Sequence, residues 1–141
     1  MAKKPVFVSF DYEKDRNYYY TMKMWDANSN FEFVFSDYTS KEIQSDSIPV
    51  VKSCLTKKIK EATYTLVIIG KDANKKHKDS EAIGYRNWQN FEIAKSKENG
   101  KKLIGVKIDR LYDSPEELYN SRASWAMSFT QQAIIKALNE A

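Results

Sequence analysis

An indole and a carboxylate, Trp88 and Glu92, stand four residues apart in a segment whose pattern predicts a helix. Residues at this spacing lie on the same side of a helix, so the two side chains are expected to point the same way. An aromatic plane beside a carboxylate near a helix N-terminus can hold a cationic or sugar-bearing ring. Spacing alone explains Trp88 equally well as a packing aromatic, and Glu92 as a solvated carboxylate favoured by the helix dipole. The pair marks a candidate site without defining a reaction.

Polar segments that follow the predicted strands form the second candidate region. In an open parallel sheet, ligands bind at the carboxyl ends of the strands, near the point where strand order reverses. Ser9, Phe10 and Asp11 follow the first strand-like run, and Asp37 follows the second. The polar loop 71–85 is expected to open at the same edge. We take these residues as candidates for ligand contact, with a helix cap as the equal alternative for Asp11.

The elements that must position these residues follow from hydrophobic patterning. Apolar, β-rich runs predict strands at 6–10, 31–35, 63–69 and 103–108. Helical patterns predict four helices. The first covers 11–26, with Tyr18, Met22 and Trp25 on its apolar side, and the second begins at about residue 48, with an apolar side formed by Val51, Leu55, Ile59 and Ala62. The third covers 87–99 and is ended by Gly100, and the fourth covers 124–141, with Met127, Ile134 and Leu138 on its apolar side.

Strands that alternate with helices predict a single α/β domain over residues 1–141, a three-layer sandwich in flavodoxin-like order. Its central parallel sheet is expected to have four to five strands, because no pattern marks a fifth between residues 110 and 123. The continuous apolar run 66–69 predicts a central strand, and the alternating start of 31–35 predicts one nearer the edge. The polar stretch 36–47 is long for an α/β connection, which favours a functional role.

Composition excludes several classes of protein. Cys54 and His77 are the only residues of their types, so an intramolecular disulfide and a two-histidine metal site are excluded, and no metal is expected. No apolar run reaches the roughly 20 residues of a membrane span, and no signal peptide is recognisable at the N-terminus. We therefore expect a cytoplasmic protein with no membrane partner. The net charge of +4 comes from lysine clusters without an arginine-rich stripe, so no nucleic-acid partner is expected.

Two familiar nucleotide-related classes can be tested against the motifs. A phosphate-binding glycine loop is absent, because none of the four glycines forms GxGxxG or GxxxxGK[ST]. A phospho-receiver domain needs an aspartate at the end of its third strand, where this chain has Ile69 and Gly70. Both readings are excluded.

Two stretches of the sequence resemble TIR-like domains. The run KPVFVSFDY at 4–12 resembles their first strand, and NWQNFE at 87–92 resembles the Trp-x-x-x-Glu signature of NAD-cleaving TIR domains. The continuation EIAKS at 92–96, followed by GKKLIGV at 100–106, is similar to the TIR-like protein of the bacterial Thoeris anti-phage system. The similarity covers roughly residues 4–108. Gln89 departs from the small residue or Cys that many TIR domains carry after the Trp.

The resemblance implies a TIR-like fold and an NAD+ nucleohydrolase or ADP-ribosyl cyclase. Glu92 would be the catalytic residue, Trp88 would pack against the dinucleotide, and Ser9, Phe10 and Asp11 would form the wall of the pocket. NAD would be a substrate, with no separate cofactor. The product would be a cyclic or otherwise modified ADP-ribose read by a separate effector protein, and a phage-derived trigger and a homo-oligomer are further expectations. A non-catalytic TIR-like signalling module is the alternative, and a nucleotide-binding sensor is a third.

The implied chemistry needs only one carboxylate. The nicotinamide of NAD is already a positively charged leaving group, so its departure requires little acid catalysis. What must be stabilised is an oxocarbenium-like ribose, and a single carboxylate in a partly dry site can do this electrostatically.

Overall fold

The computed structural model describes residues 3–36 and 47–141. Within those residues the chain forms five strands, five α-helices and one 3-10 turn. They follow in the order β1 (Lys4–Ser9), α1 (Tyr12–Asp26), β2 (Phe33–Phe35), α2 (Ile48–Glu61), β3 (Tyr64–Ile69), α3 (Ser80–Ile83), α4 (Trp88–Glu98), β4 (Lys102–Lys107), the turn Glu116–Leu118, β5 (Ser124–Ala126) and α5 (Gln131–Glu140).

The described strands form one parallel sheet in the order β2-β1-β3-β4-β5. The chain moves outward from β1 to β2 and then crosses back to β3 on the other side of β1. Strand order therefore reverses between β1 and β3, where Val8 pairs with Leu66 and Ser9 pairs with Val67. This flavodoxin-like order confirms the predicted fold class, the edge position of β2 and the central position of β3.

The alternation of side chains along the strands divides the core between the two faces of the sheet. Val8 and Leu66 belong to a cluster that includes residues of α1 and α5. Phe7 belongs to a second cluster with the buried stripe of α2 and with Phe91 of α4. The central strands are thus covered on both faces, and a ligand can approach them only at their ends.

Helix α1 begins one residue later than predicted, because Asp11 is its N-cap. The Asp11 side chain accepts hydrogen bonds from the backbone N–H groups of Glu13 and Lys14. Of the predicted apolar stripe only Met22 is fully buried, while Tyr18 and Trp25 lie at its margin against the ring of Phe129. The stripe that faces the sheet consists of Asp15, Tyr19 and Met22.

The predicted helix over 124–141 is wrong for its first seven residues. Ser124–Ala126 is strand β5, and α5 starts only after Thr130, whose side chain accepts from the backbone N–H of Ala133. Met127, expected on the helix's apolar side, is exposed, whereas Ile134 and Leu138 are buried as predicted. A three-residue edge strand that pairs with one neighbour is too short to display alternation.

Two further points complete the fold. The predicted loop 71–85 contains the short helix α3, while most of the stretch 36–47 lies outside the described residues. In the part of the chain that the structure describes, no helix combines the length and the apolar character needed to cross a membrane.

Candidate functional site

Asn87 fixes both the start of α4 and the loop in front of it. Its Oδ1 accepts from the backbone N–H of Asn90 at 2.9 Å, which satisfies one of the free donors at the helix N-terminus. Its Nδ2 donates to the carbonyls of Ala73 and Lys75 at 2.8 and 2.9 Å. One buried side chain therefore ties the loop that follows β3 to the helix that carries Trp88 and Glu92.

Helix α4 turns a polar row toward the sheet. Gln89, Glu92 and Ser96 are all buried, at positions that share one helical face. The Ser96 hydroxyl donates to the Glu92 carbonyl at 2.8 Å and lies 2.7 Å from the hydroxyl of Thr65 on β3. Since these buried polar groups are partnered along the row, the helix can pack tightly on the sheet without an apolar stripe there.

Glu92 is held at the carboxyl end of β1. The Ser9 hydroxyl, itself fully buried, donates to Glu92 Oε1 at 2.6 Å. Burial raises the pKa of Glu92 from 4.5 to about 8, while the hydrogen bond from Ser9 lowers it. Desolvation dominates because a carboxylate loses its hydration in this position. In this conformation the carboxyl group is mainly protonated at pH 7.

A cleft of about 710 Å³ opens at the carboxyl ends of β1 and β3. It lies at the strand-order reversal, where a flavodoxin-like sheet binds its ligands. Its lining comes from the turn into α1, the first turn of α2, the loop after β3 and the first turn of α4. The lining residues are Phe10, Asp11, Tyr12, Glu13, Ile48, Val51, Asp72, Lys75, Lys76, His77, Lys78, Asp79, Asn87, Trp88 and Gln89.

The structure places three of the six sequence-predicted residues in the lining of this cleft. Phe10, Asp11 and Trp88 line it. Ser9 and Glu92 are not among the lining residues. Gln89, which lines the cleft, donates a hydrogen bond to the Ser9 carbonyl, so Ser9 and its partner Glu92 lie behind Gln89. Glu92 is therefore near the cleft but does not line it. Asp37 lies outside the described residues, so its role stays a prediction. The catalytic role of Glu92 and the substrate contacts of Ser9, Phe10, Asp11 and Trp88 also stay predictions.

Trp88 is half-buried between the cleft and the core. Its indole meets Phe91 edge-on, with ring centroids 5.6 Å apart and planes at 83°. This contact belongs to the cluster beneath α2 and α4. The packing role and the ligand-contact role proposed for Trp88 are thus compatible, because one side of the ring packs while the side chain also borders the cleft.

The loop after β3 contributes more to the cleft than motif analysis indicated. Lys75, Lys76 and Lys78 place three cations on its border, and Asp11, Glu13, Asp72 and Asp79 are acidic residues of the same lining. His77 Nδ1 lies 3.9 Å from the Asp79 carboxylate. A strongly polar 15-residue loop was the available signal, but its composition does not reveal which side chains face inward.

Gln89 and Asp15 are the site-proximal residues that sequence reasoning missed. Gln89 Nε2 donates to the carbonyls of Ser9 and Ile68 at 3.3 and 3.0 Å. Asp15 is buried against Gly70, where its Oδ2 has no hydrogen-bond partner in the described part of the chain. Burial, together with the nearby charges of Asp11 and Asp72, raises the pKa of Asp15 from 3.8 to about 6.

A second groove of about 640 Å³ lies between α2 and α4, away from the sequence-predicted residues. It is bordered by Lys52, Lys57, Lys60 and Lys95 together with Tyr85 and Phe91. The ammonium groups of Lys52 and Lys95 lie over the Phe91 ring, and Lys95 also pairs with Glu98. Lys52 and Lys95 are therefore engaged in packing. Among residues 3–36 and 47–141, no group of three His, Cys, Asp or Glu side chains is arranged to hold a metal ion.

A parallel sheet in flavodoxin-like order, with a cleft at its strand-order reversal, defines an α/β domain of the flavodoxin-like class. Within that class the chain belongs to the family described as Thoeris protein ThsB, TIR-like domain, whose sequence model matches residues 7–113. No curated protein matches the chain.

Two solved structures are similar to the chain. A 2-desoxiribosyltransferase from Leishmania mexicana is 10% identical, with 97% of each chain covered and a TM-score of 0.54, which shows a common fold. The TIR domains of the activated Roq1 resistosome, which directly recognises the pathogen effector XopQ, are 20% identical with a TM-score of 0.43. That comparison covers 77% of this chain and 60% of the other.

Proposed function

We propose that this chain is a TIR-like enzyme that cleaves NAD and produces an ADP-ribose-derived signal in bacterial anti-phage defence. One observation carries the proposal. The Glu92 carboxyl group is held by Ser9 at the end of β1, directly behind a cleft bordered by Trp88. A buried acidic group with a strongly raised pKa beside a cleft is typical of functional sites.

The reaction breaks the glycosidic bond between ribose and nicotinamide. The bonding electron pair leaves with the nicotinamide nitrogen, which neutralises its positive charge, and the positive charge develops on the ribose. An ionised Glu92 would stabilise that charge until water or a nucleophilic group of the ADP-ribose adds at the same carbon and releases its proton to solvent. No acid and no metal are needed for the leaving group, and NAD is consumed as the substrate.

The protonated state of Glu92 in the free protein is compatible with this role. A nearby positive charge lowers the pKa of a carboxyl group. The nicotinamide ring of NAD brings such a charge, so binding would favour release of the Glu92 proton and create the carboxylate where it is needed. Binding of NAD at pH 7 is therefore expected to be accompanied by proton release.

The cleft also has the size and charge distribution that a dinucleotide requires. Its volume of about 710 Å³ lies within the usual range for ligand pockets, roughly 300–1,000 Å³. Lys75, Lys76 and Lys78 offer positive charge to a diphosphate, while Asp11 and Asp72 offer negative charge to the cationic ring. We further propose that a separate effector protein reads the product in the cytoplasm, and that a phage-derived trigger or self-association activates the enzyme.

The alternative function is a non-catalytic TIR-like module that signals by protein contact. It is favoured by one feature, namely that Glu92 is only 3% exposed and does not line the cleft. In that case Glu92 would serve only as part of the buried polar row that joins α4 to the sheet.

Turnover assays separate the two functions. The purified protein is incubated with NAD, with and without extract from phage-infected cells, and the products are resolved by mass spectrometry. We expect nicotinamide release that is lost in Glu92→Gln, a variant that keeps a side chain able to bond with Ser9. Glu98→Gln, on the same helix but at the surface, is the matched control and should retain activity. Full turnover by folded Glu92→Gln would remove this carboxylate from the mechanism.

A further inference from the structure

Gln89 occupies a position in the site that neither the predicted motif nor the proposed mechanism uses. It is the second residue of α4, three before Glu92, and its side chain is 4% exposed while bordering the cleft. Both residues are hydrogen-bonded to Ser9. Gln89 donates to the Ser9 carbonyl, and Glu92 accepts from the Ser9 hydroxyl. The amide of Gln89 and the carboxyl of Glu92 therefore share one anchor at the end of β1.

The orientation of the Gln89 amide is fixed by its two acceptors. Nε2 donates to the carbonyls of Ser9 and Ile68, at the ends of the two central strands between which strand order reverses. A carbonyl can only accept, so the amide nitrogen must face both of them. The amide oxygen is left as the free end of the side chain.

Oε1 of Gln89 receives no hydrogen bond from any donor within residues 3–36 and 47–141. It is not sealed off, since Asp15 Oδ2 alone is a fully buried polar atom without a partner in the same residues. Among the described residues the oxygen is thus an acceptor without a partner, on a side chain that two hydrogen bonds orient and that borders the cleft. A ligand that offers an N–H group there would satisfy it, whereas a carboxylate or phosphate would be repelled.

We propose that Gln89 Oε1 accepts a hydrogen bond from the carboxamide N–H of the nicotinamide and thereby orients the leaving group. This assignment rests on the proposed function, which places the ribose that carries the nicotinamide at Glu92. The remaining donor at that end of the dinucleotide is the carboxamide. The adenine amine is the chemically similar donor at the other end, and the two are separated by the choice of ligands below.

The experiment measures equilibrium binding to a Glu92→Gln background, in which the ligand is not consumed. Three ligands are compared by calorimetry: NAD, the 3-acetylpyridine analogue that lacks the carboxamide N–H, and the hypoxanthine analogue that lacks the adenine amine. With Gln89 present we expect NAD to bind roughly fivefold more tightly than the acetylpyridine analogue, as loss of one neutral hydrogen bond predicts. In Gln89→Met the two should bind equally.

A purely structural role of Gln89 would not produce that result. Loss of the hydrogen bonds from Gln89 to β1 and β3 would weaken the binding of all three ligands by the same factor and leave the ratios of their affinities unchanged. Ile48→Ala, which alters the cleft at a residue without a polar side chain, is the matched control and should preserve the preference for NAD. Thermal melts verify that each variant is folded.

The outcomes separate this inference from the proposed function. An unchanged ratio in Gln89→Met overturns the role of Gln89, even if wild-type protein cleaves NAD. Loss of discrimination against the hypoxanthine analogue alone would place adenine at Gln89 and overturn the assignment. Selective binding that depends on Gln89, without any turnover by wild type, supports the inference and contradicts the enzymatic proposal. Absence of NAD binding by Glu92→Gln protein that retains Gln89 overturns the role of Gln89, and the turnover assay on the wild type then decides the enzymatic proposal separately.

Discussion

Ser9 and Glu92 are joined by a 2.6 Å hydrogen bond between fully buried side chains that lie 83 residues apart in the sequence. This bond brings the first strand and the fourth helix together at the mouth of the strand-order reversal. It also couples the proposed catalytic group to the stability of the fold, because the carboxyl group can ionise only at the cost of a buried, poorly hydrated charge.

Glu92→Gln is expected to change how the free energy of unfolding depends on pH. Folding raises the pKa of Glu92 from 4.5 to about 8, so the folded chain keeps a proton that the unfolded chain has released. The free energy of unfolding of the wild type therefore falls as the pH rises from about 4.5 to 8. Glutamine does not titrate, so the variant should be more stable by about 3 kcal/mol at pH 7. Urea unfolding at pH 4 and pH 7 measures the difference.

The control for this effect is Glu98→Gln, which makes the same substitution at an exposed position of the same helix. The expected gain for Glu92→Gln disappears near pH 4, where both folded and unfolded wild type are protonated. A variant that is equally stabilised at both pH values, or destabilised at pH 7, would contradict the burial of a protonated Glu92.

Ser9→Ala is expected to change the titration of Glu92 in a defined direction. The hydroxyl of Ser9 stabilises the ionised carboxylate and lowers its pKa against the effect of burial. Its removal should therefore raise the pKa of Glu92 above about 8. Carbon-13 NMR titration of the glutamate carboxyls, with Glu92→Gln to assign the resonance, provides the measurement. A pKa that is unchanged or lower would show that the hydroxyl does not favour the charged form.

The strand-end rule predicts the position of the cleft because it depends on topology alone. Four apolar runs and the intervening helical patterns were enough to predict a parallel sheet, and the sheet then placed Phe10, Asp11 and Trp88 at one cleft. Hydrophobic patterning does not predict how deeply each of these side chains is buried. Glu92 and Gln89 look like solvated residues in sequence, and only the packing of α4 on β1 and β3 buries them.

The missed strand β5 has a similar cause. Its three residues, Ser124–Ala126, pair with β4 because Gly105 leaves room for the Trp125 ring, as a Cβ on that glycine would lie 2.6 Å from the indole. The contact between Gly105 and Trp125 joins residues far apart in the sequence, so the local periodicity of hydrophobic residues does not predict it. The helical spacing of Ile134 and Leu138 therefore predicts a helix that begins at residue 124, whereas α5 begins at Gln131.

Gly70→Ala should destabilise the fold through Asp15. A Cβ at Gly70 would lie 2.0 Å from Oδ2 of Asp15, so the carboxyl group would have to move. Overpacking of this kind costs roughly 1–3 kcal/mol. In an Asp15→Ala background the space is vacant, and the same glycine substitution should cost much less. A double-mutant cycle by urea unfolding measures the coupling, and additive effects would contradict the contact.

Asp15→Asn is expected to stabilise the protein at neutral pH. Burial and the nearby Asp11 and Asp72 raise the pKa of Asp15 from 3.8 to about 6, so the wild type loses stability as the pH rises through this interval. The neutral amide avoids that loss, and we expect a gain of roughly 3 kcal/mol above pH 6. Thermal unfolding should show no gain at pH 3.5. Equal effects at both pH values would indicate that Asp15 is not perturbed by folding.

Asn87 offers a test of how the cleft loop is held. Asn87→Ala removes the cap of α4, which costs about 1 kcal/mol, and also the two bonds to the carbonyls of Ala73 and Lys75. Asn87→Ser keeps a good capping group but is too short to donate to the loop. Hydrogen exchange should therefore quicken across residues 73–78 in both variants, and at the start of α4 mainly in Asn87→Ala. Because Lys75 and Lys78 border the cleft, both variants should also bind NAD more weakly than wild type. If hydrogen exchange in the loop of Asn87→Ser is unchanged, contacts other than the Asn87 side-chain amide hold these lysines in place.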